Sequence, residues 1–292
     1  MSVRKGVFVV LVFAQTAAGL FAQEDYKAKY LELLNSKQFD QLSEWLAEWE
    51  AAEPENPEMF IGYFNYFCQR NMQTAAAMGR MPNGQYGLYN QLRFRDDDVY
   101  EGISYLDKGL GSTPNRLDMY WGKIEILLKI EDYKTAGDTF HDLLAVSPQY
   151  NTRWLLGGNK PVPAKEGEEY FIGYADRYYD AFIAAMDRSE DAANALIQCA
   201  QKQIEVYPKS NHAHNYLAIY YMDHGKQSES LALLLAAEKI DPKDYIIAGS
   251  LAQLYAEMGE KKKAKTYFNK VLKAGNSQSK EWARNMIKEY GL

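Results

Sequence analysis

The feature that most constrains this chain is a pattern written twice, over residues 211–244 and again over 245–278, at an interval of 34 residues. In the first copy His214, Leu217, Ala218 and Tyr221 share one helical face, Gly225 follows, Ser230, Leu234 and Ala237 share a second face, and Pro242 closes the unit. In the second copy the same slots hold Ala248, Leu251, Ala252 and Tyr255, then Gly259, then Ala264, Phe268 and Val271, with Asn276 in place of the proline. Helices of about a dozen residues are marginal alone, so each pair must lay its apolar stripes against the next pair. Small side chains at Ala218, Ala252 and Ala264 permit close helix approach, while Tyr221, Tyr255 and Phe268 fill wider gaps. Gly225 and Gly259 suit a reversal after a helix, where a left-handed backbone is cheap only for glycine.

These slots resemble the tetratricopeptide repeat, with its Leu and Tyr on one helix, Gly at the turn, Ala and Phe on the next helix, and a closing Pro. The resemblance implies an all-α, right-handed α-solenoid that binds a protein or peptide without catalysing a reaction. Other unit ends fall at Pro54, Pro114, Pro148 and Pro208, giving gaps of 34 residues or of 34 plus 26. This ladder predicts about six helix pairs, closed by a capping helix over Ser279–Tyr290 and interrupted by insertions at about 71–95 and 149–167. The first insertion reads as a loop because Met78 to Gly84 is rich in turn residues, and the second as a loop with an extended piece around Pro161-Val162-Pro163. Asn56 reads as a helix cap with Pro57 in the first turn.

The amino terminus has a different logic. Arg4-Lys5, an apolar run from Val7 to Phe13 and small residues up to Ala22 form the pattern of a secretory signal peptide cleaved after Ala22, leaving 23–292 as the repeat domain. Cleavage leaves 31 basic against 39 acidic side chains, a net charge of −8, which argues against nucleic acid as a partner. No later stretch is apolar enough to span a bilayer, so the mature chain is expected in the periplasm or outside the cell. Cys68 and Cys199, each on an apolar face, are expected as buried free thiols.

The signatures of phosphate-binding loops, zinc helices and nucleophile elbows are absent from the sequence. Asp96-Asp97-Asp98 suits the start of a helix better than a calcium loop, since Glu101 stands where the loop would need glycine. His212 and His214 point away from each other on one helix, which disfavours a shared metal. No cofactor, metal or catalytic residue is expected. By analogy with the family, the first helix of each pair lines a recognition face, which offers Asn65, Trp121 and Glu125, and then His212, Asn215, Ile219 and Gln253. The insertions add Tyr86, Tyr89 and Trp154 as aromatic anchors. Two other readings remain open: a carbohydrate- or small-ligand-binding component of an outer-membrane uptake system, and an enzyme whose residues are scattered over the groove.

Overall fold

The structure is a computed structural model that describes residues 26–80, 86–150, 153–163 and 167–292. The expected leader and cleavage site lie outside the described residues, as do residues 81–85. The described chain divides into two compact units: one ends at Ile126 and recruits Leu155–Lys160, and the other takes Leu127–Trp154 and Pro161–Leu292.

The first unit begins with α1 (26–35), α2 (Phe39–Ala52) and α3 (Pro57–Arg70). Asn56 caps α3 as expected, its side chain accepting from the Glu58 amide at 2.8 Å with Pro57 in the first turn. Between α3 and α4 (Asp96–Ser112) the first insertion is not a loop. Its strands β1 (Gln73–Arg80) and β2 (Tyr86–Arg93) pair antiparallel over all eight residues, from Gln73 opposite Arg93 to Arg80 opposite Tyr86. The loop expected for this insertion is therefore corrected to a two-stranded ribbon, set into an otherwise all-α chain. Asp96, Asp97 and Asp98 stand in the first turn of α4, where acids complement the helix dipole.

α5 (Leu117–Lys129) contributes residues to both units. The second unit then contains α6 (Tyr133–Tyr150), α7 (Gly167–Ala185), α8 (Glu190–Val206), α9 (Asn211–Asp223), α10 (Gln227–Ile240), α11 (Tyr245–Glu257), α12 (Lys261–Ala274) and α13 (Ser277–Glu289). Here α9 packs on α8, α10 and α11, α11 packs on α12, and α12 packs on α13, so neighbours in sequence are neighbours in space. The elements make the six helix pairs and closing helix of an α-solenoid. The second insertion is compact, with two-residue strands β3 (Leu155–Leu156) and β4 (Lys160–Pro161) flanking a 3-10 turn at Gly157–Asn159.

The repeat slots form the core of the last hairpins. Ala218, Leu234, Ala237, Leu251, Ala252, Tyr255, Ala264, Phe268 and Val271 are buried in one apolar cluster, with Ala283 of α13 closing it. Pro148 departs from the expected ladder because it lies inside α6 rather than at its end. A proline there leaves the carbonyl four residues earlier without its amide donor. The Ser147 hydroxyl donates instead to the Leu144 carbonyl at 2.8 Å, which lets the helix run on. Cys68 and Cys199 are buried and form no disulfide, and burial pushes the Cys199 thiol well above its ordinary range.

Gly225 and Gly259 adopt φ of +70° and +77°. A Cβ at Gly259 would meet nothing within 4 Å, so the backbone alone requires glycine there. Gly259→Ala is expected to destabilise the fold by about 1 kcal/mol through left-handed strain. Urea unfolding with an unchanged midpoint would contradict this.

Candidate recognition face

Within the second unit, α7, α9 and α11 are the first helices of successive pairs, and α9 packs on both of the others. A polar chain ties the three together. Asp244 caps α11 through Oδ1, which accepts from the Ile246 and Ile247 amides at 2.7 and 3.3 Å. Its Oδ2 remains for α9, accepting from Asn211 Nδ2 at 2.7 Å and meeting His212 Nε2 at 3.2 Å. The other His212 nitrogen, Nδ1, lies 3.0 Å from Asp176 Oδ2 on α7.

A ring with a carboxylate at each nitrogen can satisfy both contacts only as a double donor, the imidazolium. Hydrogen bonds to Asp176 and then Asp244 accordingly raise the His212 pKa from 6.5 to about 10, against the opposing effect of burial. Burial alone would raise the Asp244 pKa, but His212 and the two cap amides hold it below its ordinary value.

One turn along α9, Tyr216 stacks on Tyr179 with centroids 4.5 Å apart. The Tyr179 hydroxyl donates to Gln203 Oε1, and Gln203 Nε2 donates to Ser210 Oγ, both at 2.8 Å, so the ring beneath Tyr216 is fixed. Burial, then Asp176 and Asp180, push the Tyr216 hydroxyl far up, and burial and Asp176 raise the exposed Asp180 carboxyl. Further along, an open cavity of about 220 Å³ is bordered by Tyr245, Ile246, Ser250 and Gln253 of α11 and by Trp282 of α13. A Cβ at Gly249 would come within 3.3 Å of the Trp282 ring, so the missing side chain lets the indole lie along α11.

The sequence candidates therefore part company. His212 is half-buried in the bridge and Gln253 borders the cavity, whereas Asn215 is only 4% exposed and its Oδ1 meets no donor among the described residues. Ile219 is half-buried on the same helix. In the first unit Asn65 donates to the Tyr30 hydroxyl at 2.8 Å, Glu125 is half-buried and Trp121 is buried. Tyr86 is exposed on one face of the ribbon and Tyr89 half-buried on the other.

Trp154 is corrected as an exposed anchor. It is 1% exposed and lies parallel to Phe171 with centroids 6.3 Å apart, because the second insertion folds back and Val162 N–H donates to the Trp154 carbonyl. The expected aromatic loop spends this ring on packing. No group of ligating side chains able to hold a metal occurs among the described residues.

The sequence reading missed the His212 bridge, although the repeat contained its signal. With Asn211 and Tyr245 opening equivalent helices, Asp244 must cap α11 one residue ahead of the slot that α9 faces. It also missed a polar lock in the first unit. Arg116, fully buried, donates to Glu58 Oε1 at 2.7 Å and to both Asp118 oxygens at 2.9 and 2.8 Å, and reaches Asn159 Oδ1 at 3.3 Å. Glu58 also accepts from the Gly158 amide at 2.7 Å and pairs with Lys27 of α1. Read alone, Arg116 and Glu58 look like ordinary helix-start residues, and only the folded insertion brings Gly158 and Asn159 to them.

No family model and no curated protein matches the chain. Among solved structures, YrrB, described as a TPR protein with an unusual peptide-binding site, is 14% identical, with 82% of this chain and 97% of that chain covered at a TM-score of 0.41. TTC0263, a thermophilic TPR protein of Thermus thermophilus, is 18% identical, with 66% and 91% covered and a TM-score of 0.41. PilF of Pseudomonas aeruginosa is 8% identical, with 90% and 97% covered and a TM-score of 0.38. The proteins this chain resembles, in its repeat slots and among these structures, are tetratricopeptide-repeat proteins.

Proposed function

We propose that the chain is a non-enzymatic scaffold that binds a protein or peptide on the first-helix face of its second unit. The observation that supports this most is that one bridge, Asp176–His212–Asp244, fixes α7, α9 and α11 beside an open cavity. A face held in advance loses little order when an extended partner settles on it. Asp180, Ile246 and Gln253 then offer charge, apolar area and an amide along that surface, with Asp180 and Ile246 exposed. His212 does not suit catalysis, because it remains a cation near neutral pH with both nitrogens committed to carboxylates. On the leader-like segment up to Ala22, we place this scaffold in a bacterial cell envelope, exported to the periplasm or beyond.

Panning a displayed peptide library against the full chain, then titrating the recovered peptides by fluorescence anisotropy, tests this reading. The paired change Asp180→Arg and Ile246→Arg is expected to weaken recovered peptides about tenfold, the loss of roughly one good contact, with the melting curve unchanged. Peptides that bind both proteins equally would move recognition off this face. Recovery of no binding peptide would end the proposal.

A further inference from the structure

The recognition face of the second unit is built from helices whose charge has one sign. Together α7, α9 and α11 hold six aspartates and glutamates, one arginine and no lysine. The arginine, Arg177, has its guanidinium 4.6 Å from the centre of the Tyr174 ring. This acidity is local, since α12, which packs on α11, holds six lysines and no acid. Acidity alone selects no partner, and the polar atoms within the face are more specific.

Three acceptors there have no donor. Asp180 is exposed and enters no ion pair or hydrogen bond among the described residues, and burial and Asp176 raise its carboxyl, as befits an acid that no cation holds. Asp176 Oδ1 is buried and meets no donor, while its Oδ2 faces His212. Asn215, 4% exposed, also has an Oδ1 that meets no donor among the described residues. The repeat shows where that amide stands. On α11 the open cavity is bordered by Tyr245, Ile246, Gly249, Ser250 and Gln253, and 34 residues earlier the slot of Gly249 is Asn215, with His212 and Tyr216 in the slots beside it. His212 cannot serve these oxygens, because its two nitrogens are committed to the Oδ2 atoms of Asp176 and Asp244. After burial, Asp176 and Asp180 are what act on the Tyr216 hydroxyl, which puts that ring beside both carboxylates.

We propose that the face seats a basic side chain of its peptide partner, an arginine before a lysine, on Asp180, Asp176 Oδ1 and the Asn215 amide oxygen. The aliphatic stem lies along the half-buried Tyr216 ring, which Tyr179 holds from behind. A guanidinium suits separate acceptors better than an ammonium does, because it carries five N–H donors in one plane, sheds water more readily and stacks on aromatic rings. This inference rests on the peptide-binding reading above and adds to it the sign and chemistry of the partner.

The probes are fluorescein-labelled peptide pools of random alanine, serine, threonine and leucine around one fixed arginine, lysine, glutamine or glutamate, titrated into the full chain by anisotropy. The arginine pool is expected to bind roughly tenfold tighter than the glutamine pool, with lysine between them and the gap narrowing as salt rises. Asp180→Asn and Asn215→Leu should each weaken the arginine pool several-fold and leave the glutamine pool unchanged, and Asp180→Arg should prefer glutamate to arginine. Asp142→Asn, which removes an exposed carboxylate of α6, should change nothing. A loss there equal to that of Asp180→Asn would overturn the proposal in favour of net charge. Peptides without a basic residue that still lose affinity with the Asp180→Arg, Ile246→Arg pair would overturn it alone and leave peptide binding standing. Binding by no pool and no panned peptide would remove both.

Discussion

Arg116→Met should destabilise the first unit by about 3–5 kcal/mol, the cost of leaving a buried charge without its partner. Among the described residues, Arg116 is the only cation that reaches Glu58, Asp118 and Asn159 together, and its side chain is wholly buried. Removing it leaves Glu58 with Lys27 and the Gly158 amide, and leaves Asp118 without its double contact. Methionine keeps most of the volume, so the loss reports charge rather than packing. Adding Glu58→Gln should recover part of it, because the second change removes the stranded carboxylate. A double-mutant cycle from urea unfolding measures this, and additive losses would deny that the two residues act as a pair.

The same lock has a pH dependence whose direction follows from Glu58. Burial alone would raise its pKa, but Lys27, the Gly158 amide and Arg116 hold it below its ordinary value of 4.5. A depressed carboxylate contributes stability that is present above its unfolded pKa and is lost as pH falls through the folded one. The first unit should therefore weaken in acid below about pH 4.5, less steeply in Glu58→Gln, as followed by thermal melts.

What could be read from the sequence follows the range of the physics involved. The 34-residue interval is local and repeated, so Leu251, Ala252 and Phe268, with the counterparts Ala218 and Leu234, announced a stack, and the structure buries them together. The ribbon was missed because β1 is built largely of three alanines and Gly79, which carry little strand preference, with Thr74 its one β-branched residue. Asn83-Gly84 between two such runs is also a hairpin signal, and it reads as a plain loop only when the alternation of Tyr86, Leu88 and Leu92 is overlooked. Trp154 was misjudged for a different reason. Whether an inserted ring packs inward depends on contacts with Tyr150 and Phe171 that no spacing rule supplies. Polar networks were the hardest to see, since the partners of Arg116 range from Asp118, two residues away, to Glu58, 58 residues away.

His212→Gln should remove about 2–3 kcal/mol from the second unit at neutral pH, and the difference from the unchanged chain should disappear in base. A pKa raised from 6.5 to about 10 corresponds to a larger stabilisation of the charged form, at about 1.4 kcal/mol per unit. The ring and Asp176 are each nearly a third exposed, so solvent screens the pair and the lower figure applies. Because the folded pKa lies above the unfolded one, the contribution is complete below about pH 6.5 and drains away as pH climbs through about 10. Glutamine can still donate one hydrogen bond but cannot carry the proton, so it isolates the charge. Urea unfolding of both proteins between pH 6 and pH 10.5 tests this: two curves that run parallel across the range would mean that the bridge holds no proton. If they converge, the ring that joins α7, α9 and α11 is a fixed cation between two carboxylates. In that case the face owes its rigidity to charge as well as to the apolar repeat beneath it.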